Sequence, residues 1–179
     1  RNGEWNKKEY KGIELNGKTL GLVGFGRIAQ SVAKKAQALG MSVIYTDIMG
    51  ANENVPSCKF VEKDELLASA DFLSLHIPFI KKYGPFLGEA EFAKMKKGMY
   101  IIHTARGGVI DEEALLNALD SGIVSKAALD VFANEPTKNE RIYTHDSISL
   151  TPHIGAATKE AQQRIGTELA NQISSYFEK

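Results

Sequence analysis

Three ionisable side chains stand directly after short apolar runs, in settings that suit acid–base chemistry. Arg106 lies in the segment TARGG, Glu135 in DVFANEP and His153 in TPHIG. A histidine, with an ordinary pKa of about 6.5, can take and return a proton at neutral pH. A carboxylate stabilises the protonated ring, and a guanidinium fork can hold a second carboxylate. These residues suit the oxidation of a 2-hydroxy acid, with His153 as base, Glu135 as its partner and Arg106 on the substrate carboxylate.

Each residue also has a simpler interpretation. A histidine after a strand can be structural, an arginine can be a surface cation, and a glutamate before a proline can be a turn residue. All three follow predicted strands, and the carboxyl ends of parallel strands meet at one edge of a sheet, so they are expected to converge, but the residues alone leave both interpretations open. Gly107 and Gly108 are expected to keep the surroundings of Arg106 open.

The hydride of such an oxidation needs an acceptor, and a glycine-rich turn offers a place for one. GFGRIA starts at Gly24, follows the first apolar run and leads directly into a helical pattern. Gly24 permits a tight turn, Gly26 lets the backbone approach a pyrophosphate, and Ala29 permits close helix–strand contact. A turn that only joins a strand to a helix is the alternative, but this context is the one that a dinucleotide-binding turn requires.

Asp47 ends the second apolar run, 21 positions after Gly26. A carboxylate there can accept hydrogen bonds from the hydroxyls of adenosine ribose and would repel a 2′-phosphate. Ile48 follows it, where an arginine could have paired with that phosphate. The sequence therefore predicts NAD as the cofactor rather than NADP, unless Asp47 is only a solvated carboxylate at a strand end.

Apolar runs that alternate with helical patterns must position these residues. Six runs are predicted to be strands: Thr19–Gly24, Met41–Asp47, Phe72–His76, Met99–Thr104, Ser125–Val131 and Ser147–Thr151. Helices fall between most of them. The predicted fold class is therefore α/β, a Rossmann-type doubly wound parallel sheet with helices on both faces.

The helical segments carry their own signals. The first, about residues 27–39, ends before Gly40 and places four apolar residues on the face expected to cover the sheet: Ile28, Val32, Ala36 and Leu39. Asp64 and Asp111 are the expected N-caps of the next two, and Gly122 is the expected stop of the third. The last helix, about residues 158–177, bears an apolar stripe of Ala161, Ile165, Leu169 and Ile173.

Composition narrows the function classes. The 22 basic and 22 acidic residues give a net charge of +0, so no global field attracts nucleic acid or an anionic membrane. The longest apolar runs fall far short of a membrane span, which needs about 18 residues. Cys58 is the single cysteine, so no intrachain disulfide can form. We expect a soluble, cytoplasmic protein that acts on a small molecule and has no metal site.

The sequence resembles the D-isomer-specific 2-hydroxyacid dehydrogenase family, through GKTLGLVGFGRIA, TARGGVIDEEAL, ALDVFANEP and LTPHIGAAT. The resemblance runs from about Gly12 to the last helix. DVFANEPT and TPHIGAATKEAQ are most similar to the D-3-phosphoglycerate dehydrogenases, so the resemblance implies serine biosynthesis with 3-phosphoglycerate as the substrate. It also implies a homodimer.

The resemblance implies a role for each matching residue. Arg106 would bind the substrate carboxylate and carbonyl, His153 would be the acid/base, and Glu135 would tune it. The cofactor would be held at three places: the pyrophosphate at Arg27 and Ile28, the ribose at Asp47, and the adenine side at His76 and Pro78. The nicotinamide side would be formed by Thr104, Ala105, Asp130, Gly155 and Ala156. Two positions depart from the family pattern: His103 stands where members often carry Asn, and residues 79–84 replace a threonine-bearing loop.

The resemblance also implies a division of the chain. Residues 1–18, including Trp5, would form an interdomain connection, residues 19–157 the NAD-binding domain, and residues 158–179 a helix that returns towards a substrate domain. Because the sequence begins with Arg1 rather than Met, we expect the natural start to lie upstream. An NAD-sensing corepressor on the same scaffold is the rival hypothesis, and a formate dehydrogenase is a third, which the charge of Glu135 disfavours.

Overall fold

The structure is a computed structural model that describes residues 12–178; Trp5 and most of the predicted interdomain connection lie outside these residues. Seven strands form one sheet: β1 (Thr19–Val23), β2 (Ser42–Thr46), β3 (Lys59–Phe60), β4 (Phe72–Leu75), β5 (Met99–His103), β6 (Val124–Leu129) and β7 (Ile148–Leu150). All pairs are parallel, in the order β3-β2-β1-β4-β5-β6-β7. The predicted parallel α/β fold is thereby confirmed.

Within the described residues, six α-helices occur, five of them between strands and the last after β7: α1 (Arg27–Ala38), α2 (Lys63–Ser69), α3 (Glu89–Phe92), α4 (Glu112–Asp120), α5 (Glu140–Tyr143) and α6 (Lys159–Phe177). A 3₁₀ turn occupies Lys81–Tyr83. Helix α1 packs on one face of the sheet with Leu20, Leu22 and Val43, while α2 and α4 pack on the opposite face with Leu73 and Ile101. The chain order reverses between β1 and β4, where a doubly wound sheet opens a crevice for ligands.

The predicted buried face of α1 is only partly right. Ala36 is buried and Val32 is partly buried against the core, but the other buried residues are Ala29 and Ala33, whereas Ile28 is 71% exposed and Leu39 is 59% exposed. Only small side chains let the helix axis approach the sheet closely behind the glycine-rich turn, so steric fit decided the face rather than hydrophobicity. The edge strand β3 was not predicted, because a strand of two residues has no measurable period.

The helix ends are determined by capping. Asp111 caps α4 as predicted, accepting the amides of Glu113 and Ala114, and Gly122 follows its end with a φ of 71°. The predicted N-cap of α2 is wrong: the cap is Glu62, and Asp64 lies within the first turn, where it pairs with Lys94 at 2.9 Å. A carboxylate there still suits the positive end of the helix dipole.

Helix α6 begins after Thr158, whose hydroxyl accepts the amide of Ala161. None of its described residues is buried, and Ile165, Leu169 and Ile173 are each about half exposed. The predicted apolar stripe therefore faces outward. Within residues 12–178, no helix combines the length and the hydropathy needed to cross a membrane.

Candidate functional site

The glycine-rich turn after β1 has the geometry of a phosphate cradle. Gly24 has a φ of 83°, and a Cβ there would lie 2.7 Å from Ile77 and 2.8 Å from the carbonyl oxygen of His76, so only glycine fits. A Cβ on Gly26, in contrast, would meet no described atom within 4 Å. The backbone of Gly26 is therefore open to a ligand, directly in front of the amides at the start of α1.

Asp47 links the end of β2 to this turn. Its Oδ2 accepts the amide of Phe25 at 2.6 Å, and its Oδ1 accepts the amide of Met49 at 2.9 Å. The two bonds fix the carboxylate beside the cradle and leave lone pairs on both oxygens for further donors. Ile48, the next residue, is fully exposed and offers no positive charge to a phosphate.

A cleft of about 870 Å³ joins the turn to the end of β4. Its walls include Gly24, Gly26, Asp47, His76 and Pro78. Burial lowers the pKa of His76, whose Nε2 lies 3.0 Å from the hydroxyl of Ser74. The unusual loop at residues 79–84 supplies an apolar wall of Phe79, Ile80 and Tyr83. Arg27 and Ile28 are exposed in the first turn of α1.

The acid–base pair lies beyond the ends of β6 and β7. Nδ1 of His153 is 2.7 Å from Oε2 of Glu135, and Oε1 of Glu135 accepts the amide of Phe132 at 3.1 Å. The contact with His153 has the largest effect on the pKa of Glu135, and the hydrogen bond from Phe132 the next largest. Together they hold that pKa below its usual range. Glu135 is therefore ionised at neutral pH, and it binds the imidazole through Nδ1 while leaving Nε2 as the other functional nitrogen.

Asp130 fixes the loop that carries His153. Its Oδ1 accepts the hydroxyl of Thr151 at 2.6 Å and the amide of Ile154 at 2.9 Å, and its Oδ2 accepts the amide of Gly155 at 2.9 Å. Burial alone would raise the pKa of Asp130, but these hydrogen bonds outweigh it and lower that pKa. His153, which lies in the chain between these hydrogen-bonded residues, has a φ of 54°, a conformation that costs on the order of 1–3 kcal/mol in a non-glycine residue.

The turn that carries Arg106 packs tightly against the loop that carries Glu135. A Cβ on Gly107 would lie 1.7 Å from the carbonyl oxygen of Phe132, and a Cβ on Gly108 would lie 3.1 Å from the ring of Phe79. The expectation that these glycines keep the surroundings open is therefore wrong, because they permit close packing. Arg106 itself is exposed, and its guanidinium bonds the carbonyl of Ala105 at 2.7 Å.

The remaining nicotinamide-side candidates lie around these two loops. Thr104 and Ala156 are exposed, and Ala105 is half-buried beside Arg106. Both oxygens of Asp130 already accept hydrogen bonds from the chain, so its carboxylate has less capacity for a carboxamide than the resemblance implies. None of these residues lines the 870 Å³ cleft, which ends at Val109 on this side.

His103 is 3% exposed at the end of β5, with no hydrogen-bond partner for either ring nitrogen among the described residues. Burial lowers the pKa of His103 to about 4. Its own carbonyl accepts the amide of Asp130 at 2.9 Å. His103 is thus a neutral residue beneath the site and does not face the cleft.

Two residues that hold the site in place were not predicted from the sequence. Thr151 donates its hydroxyl to Asp130, and Glu112 accepts the amide of Ala133 at 2.7 Å. Thr151 could have been noticed as a hydroxyl residue two positions before His153. Glu112 could not be distinguished from Glu113, because both suit the first turn of a helix equally. No group of three His, Cys, Asp or Glu side chains placed to hold a metal occurs within residues 12–178.

Comparison with known proteins places this geometry in context. The family described as D-isomer specific 2-hydroxyacid dehydrogenase, NAD binding domain, matches residues 1–155. The chain is 47% identical to a D-3-phosphoglycerate dehydrogenase of Methanocaldococcus jannaschii, covering 97% of this chain and 34% of that protein. It is also 47% identical to a hydroxypyruvate reductase of Thermotoga maritima, covering 97% and 57%.

Among solved structures, a glyoxylate reductase from Paecilomyes thermophila superposes with a TM-score of 0.94 at 41% identity, covering 99% of this chain and 55% of that one. The chain therefore spans between about a third and just over half of the length of these three proteins.

Proposed function

The chain belongs to the D-isomer specific 2-hydroxyacid dehydrogenase family, as its NAD-binding domain, and from this we propose that the complete protein transfers a hydride between a D-2-hydroxy acid and NAD. The observation that carries the proposal is the 2.7 Å contact between His153 and Glu135, at the same end of the sheet as the dinucleotide turn. An NAD-sensing corepressor on the same scaffold retains similar motifs, so turnover of a 2-hydroxy acid by the complete protein is what separates the two hypotheses.

The residues of the cleft fit NAD. Gly26 offers open backbone to a pyrophosphate, with Arg27 and Ile28 beside it, and Asp47 presents fixed carboxylate oxygens at the position of the adenosine ribose. His76 and Pro78 line the same cleft towards the adenine side. NAD, when bound, supplies the hydride acceptor of the oxidation.

His153 is the proposed acid/base. With Nδ1–H donating to Glu135, the lone pair of Nε2 is available for the proton of the substrate hydroxyl. The ionised Glu135 stabilises the imidazolium that results and holds the ring in one orientation. In the reverse direction the same nitrogen returns the proton to the keto oxygen. Asp130 keeps the loop in place through its three hydrogen bonds.

Arg106 is the proposed anchor of the substrate carboxylate. Its guanidinium is exposed at this end of the sheet and bonds only the carbonyl of its neighbour Ala105 in the described chain, so four of its five N–H donors remain for a ligand. Thr104, Gly155 and Ala156 are proposed to line the nicotinamide side. Helix α6 is proposed to pack its exposed stripe against a substrate domain.

For the substrate we propose 3-phosphoglycerate, since a relative at 47% identity is a D-3-phosphoglycerate dehydrogenase and the segments DVFANEPT and TPHIGAATKEAQ are most similar to those enzymes. The hydroxypyruvate reductase at equal identity makes hydroxypyruvate the competing candidate. The test is reduction of NAD by the complete protein across D-2-hydroxy acids that include 3-phosphoglycerate, D-glycerate and D-lactate, for wild type and Arg106→Lys. The variant should raise KM strongly, because an ammonium cannot replace a bidentate fork. Absence of turnover with every acid would refute the proposal, and turnover of another acid alone would refute only the substrate.

A further inference from the structure

We propose that Glu112, the first residue of α4, is a positioning residue that sets the place of Glu135 and, through it, the orientation of His153. The carboxylate of Glu112 contacts neither of these side chains in the structure. Instead, it accepts a hydrogen bond from the backbone amide of Ala133, in the loop that carries Glu135. The inference rests on the proposed dehydrogenase function for its effect on catalysis, but its structural part can be measured without turnover.

The first observation is a pair of hydrogen bonds that two carboxylates accept from consecutive backbone amides. Oε1 of Glu112 accepts the amide of Ala133 at 2.7 Å. The adjacent amide, that of Phe132, donates to Oε1 of Glu135 at 3.1 Å, and Oε2 of Glu135 contacts Nδ1 of His153 at 2.7 Å. Two consecutive amides thus hold two carboxylates. Because the two amides belong to adjacent residues, we infer that loss of the first bond displaces the second.

The second observation concerns the peptide group that joins Phe132 to Ala133. Its N–H is held by Glu112, and its carbonyl oxygen lies against Gly107, where a Cβ would approach to 1.7 Å. Because the two ends of a peptide group point in opposite directions, these contacts fix it from both sides. The same peptide therefore connects the turn of Arg106 to the loop of Glu135.

The third observation is that Glu112 has a rigid support. Asp111 caps α4 with two backbone hydrogen bonds, and Leu115 and Leu116 are fully buried one turn further on. Glu112 is half-buried, and its carboxylate is not used in the capping. A side chain at the start of such a helix is a stable reference point for a loop that has little regular structure of its own.

Glu113 provides a matched control. It is the next residue of the same helical turn and carries the same charge, but it pairs with Arg141 and accepts the side-chain amide of Asn139 at 3.3 Å. Those contacts lie beyond the loop segment that holds Glu135. Glu112→Ala removes the acceptor, Glu112→Gln keeps an acceptor oxygen without the charge, and Glu113→Ala removes an equal charge from the same turn.

The first measurement is NMR titration of the His153 ring in this chain, which requires neither substrate nor NAD. We expect Glu112→Ala to move the titration midpoint to lower pH in the same direction as Glu135→Gln, because the carboxylate loses its alignment with Nδ1. Glu112→Gln and Glu113→Ala should stay close to wild type. Thermal unfolding should remain within a few degrees for all three, since the cap and the buried leucines are untouched.

The second measurement is steady-state kinetics of the complete protein. Glu112→Ala should lower kcat about tenfold with the KM for NAD unchanged, because misplacement of a catalytic group affects the transition state and the dinucleotide turn is remote. An unshifted midpoint in Glu112→Ala overturns the inference. So does an equal shift in Glu112→Gln or Glu113→Ala, which would make the effect one of charge alone. If the midpoint shifts but the complete protein turns over no hydroxy acid, the positioning stands and the dehydrogenase proposal fails.

Discussion

Glu135 divides its two carboxylate oxygens between the imidazole of His153, at 2.7 Å, and the backbone amide of Phe132, at 3.1 Å. The amide of Phe132, in the same loop, thus orients the carboxylate towards the histidine. The contact of a fixed anion with Nδ1 favours the protonated ring. This relationship has a direct consequence for the dependence of the rate on pH.

Glu135→Gln in the complete protein should shift both pH–rate profiles to lower pH. Oxidation of the hydroxy acid requires the neutral ring and rises with pH, whereas reduction of the keto acid requires the protonated ring and falls. Withdrawal of the anion disfavours the protonated form, so both midpoints move down together. His153→Ala should reduce both rates by about 10²–10⁴-fold at every pH. Unmoved midpoints in Glu135→Gln would reduce Glu135 to a turn residue.

Asp47→Ala should abolish a preference of this chain for NADH over NADPH. The carboxylate is fixed by the amides of Phe25 and Met49, and it would lie against a 2′-phosphate. Calorimetric titration with both reduced cofactors measures the ratio, and Glu53→Ala, an acidic position in the nearby loop, serves as the control. Tighter binding of NADPH by the wild type would contradict the ribose assignment.

Gly107→Ala should lower the stability of the chain, whereas Gly26→Ala should lower its affinity for NADH. At Gly107 the new methyl group would meet the Phe132 carbonyl at 1.7 Å, so the loop must move and the unfolding free energy should fall by about 1–3 kcal/mol. At Gly26 no described atom lies within 4 Å, so stability should change little while the affinity for NADH falls. Denaturant unfolding measures the stability of each variant, and fluorescence titration measures its affinity for NADH. A stable Gly107→Ala protein would show that the two loops are not in contact.

His103→Leu should make stability less dependent on pH. In the folded chain burial lowers the pKa of His103 to about 4, whereas the ring titrates near 6.5 when unfolded. As the pH falls from 6.5 to about 4, the unfolded state gains a proton that the folded state does not, so stability decreases, by on the order of 3 kcal/mol at most. Denaturant unfolding at several pH values tests this.

His103→Leu removes the contribution of His103 to the pH dependence of stability. A smaller contribution from His76 remains, because burial also lowers the pKa of His76. Loss of two unpaired ring nitrogens should also raise stability at pH 7 by about 1 kcal/mol. An identical pH dependence in the variant and the wild type would mean that His103 is accessible to protons in the folded chain.

The sequence by itself determined six of the seven described strands, the longer helices and the types of side chain that are available for chemistry. Strand periodicity, the Asp111 cap and the context of Gly24 and Gly26 depend on neighbours along the chain, and each gave the observed local structure. The types of Arg106, Glu135 and His153 fixed what chemistry they can do. Local interactions can be predicted from the sequence because their partners are only a few residues away along the chain.

Only the tertiary structure decided that Ile28 and Leu39 lie outside the buried face of α1, why Gly107 must be glycine, and that Glu112 rather than Glu113 holds the loop of Glu135. Each of these depends on a distance between segments that are far apart in sequence. Ala29 is preferred to Ile28 at the sheet because the backbone approaches closely there, and Gly107 is required because a carbonyl 25 residues away occupies the space of a Cβ. Periodicity records hydrophobicity along one segment, whereas close packing is a property of two segments together.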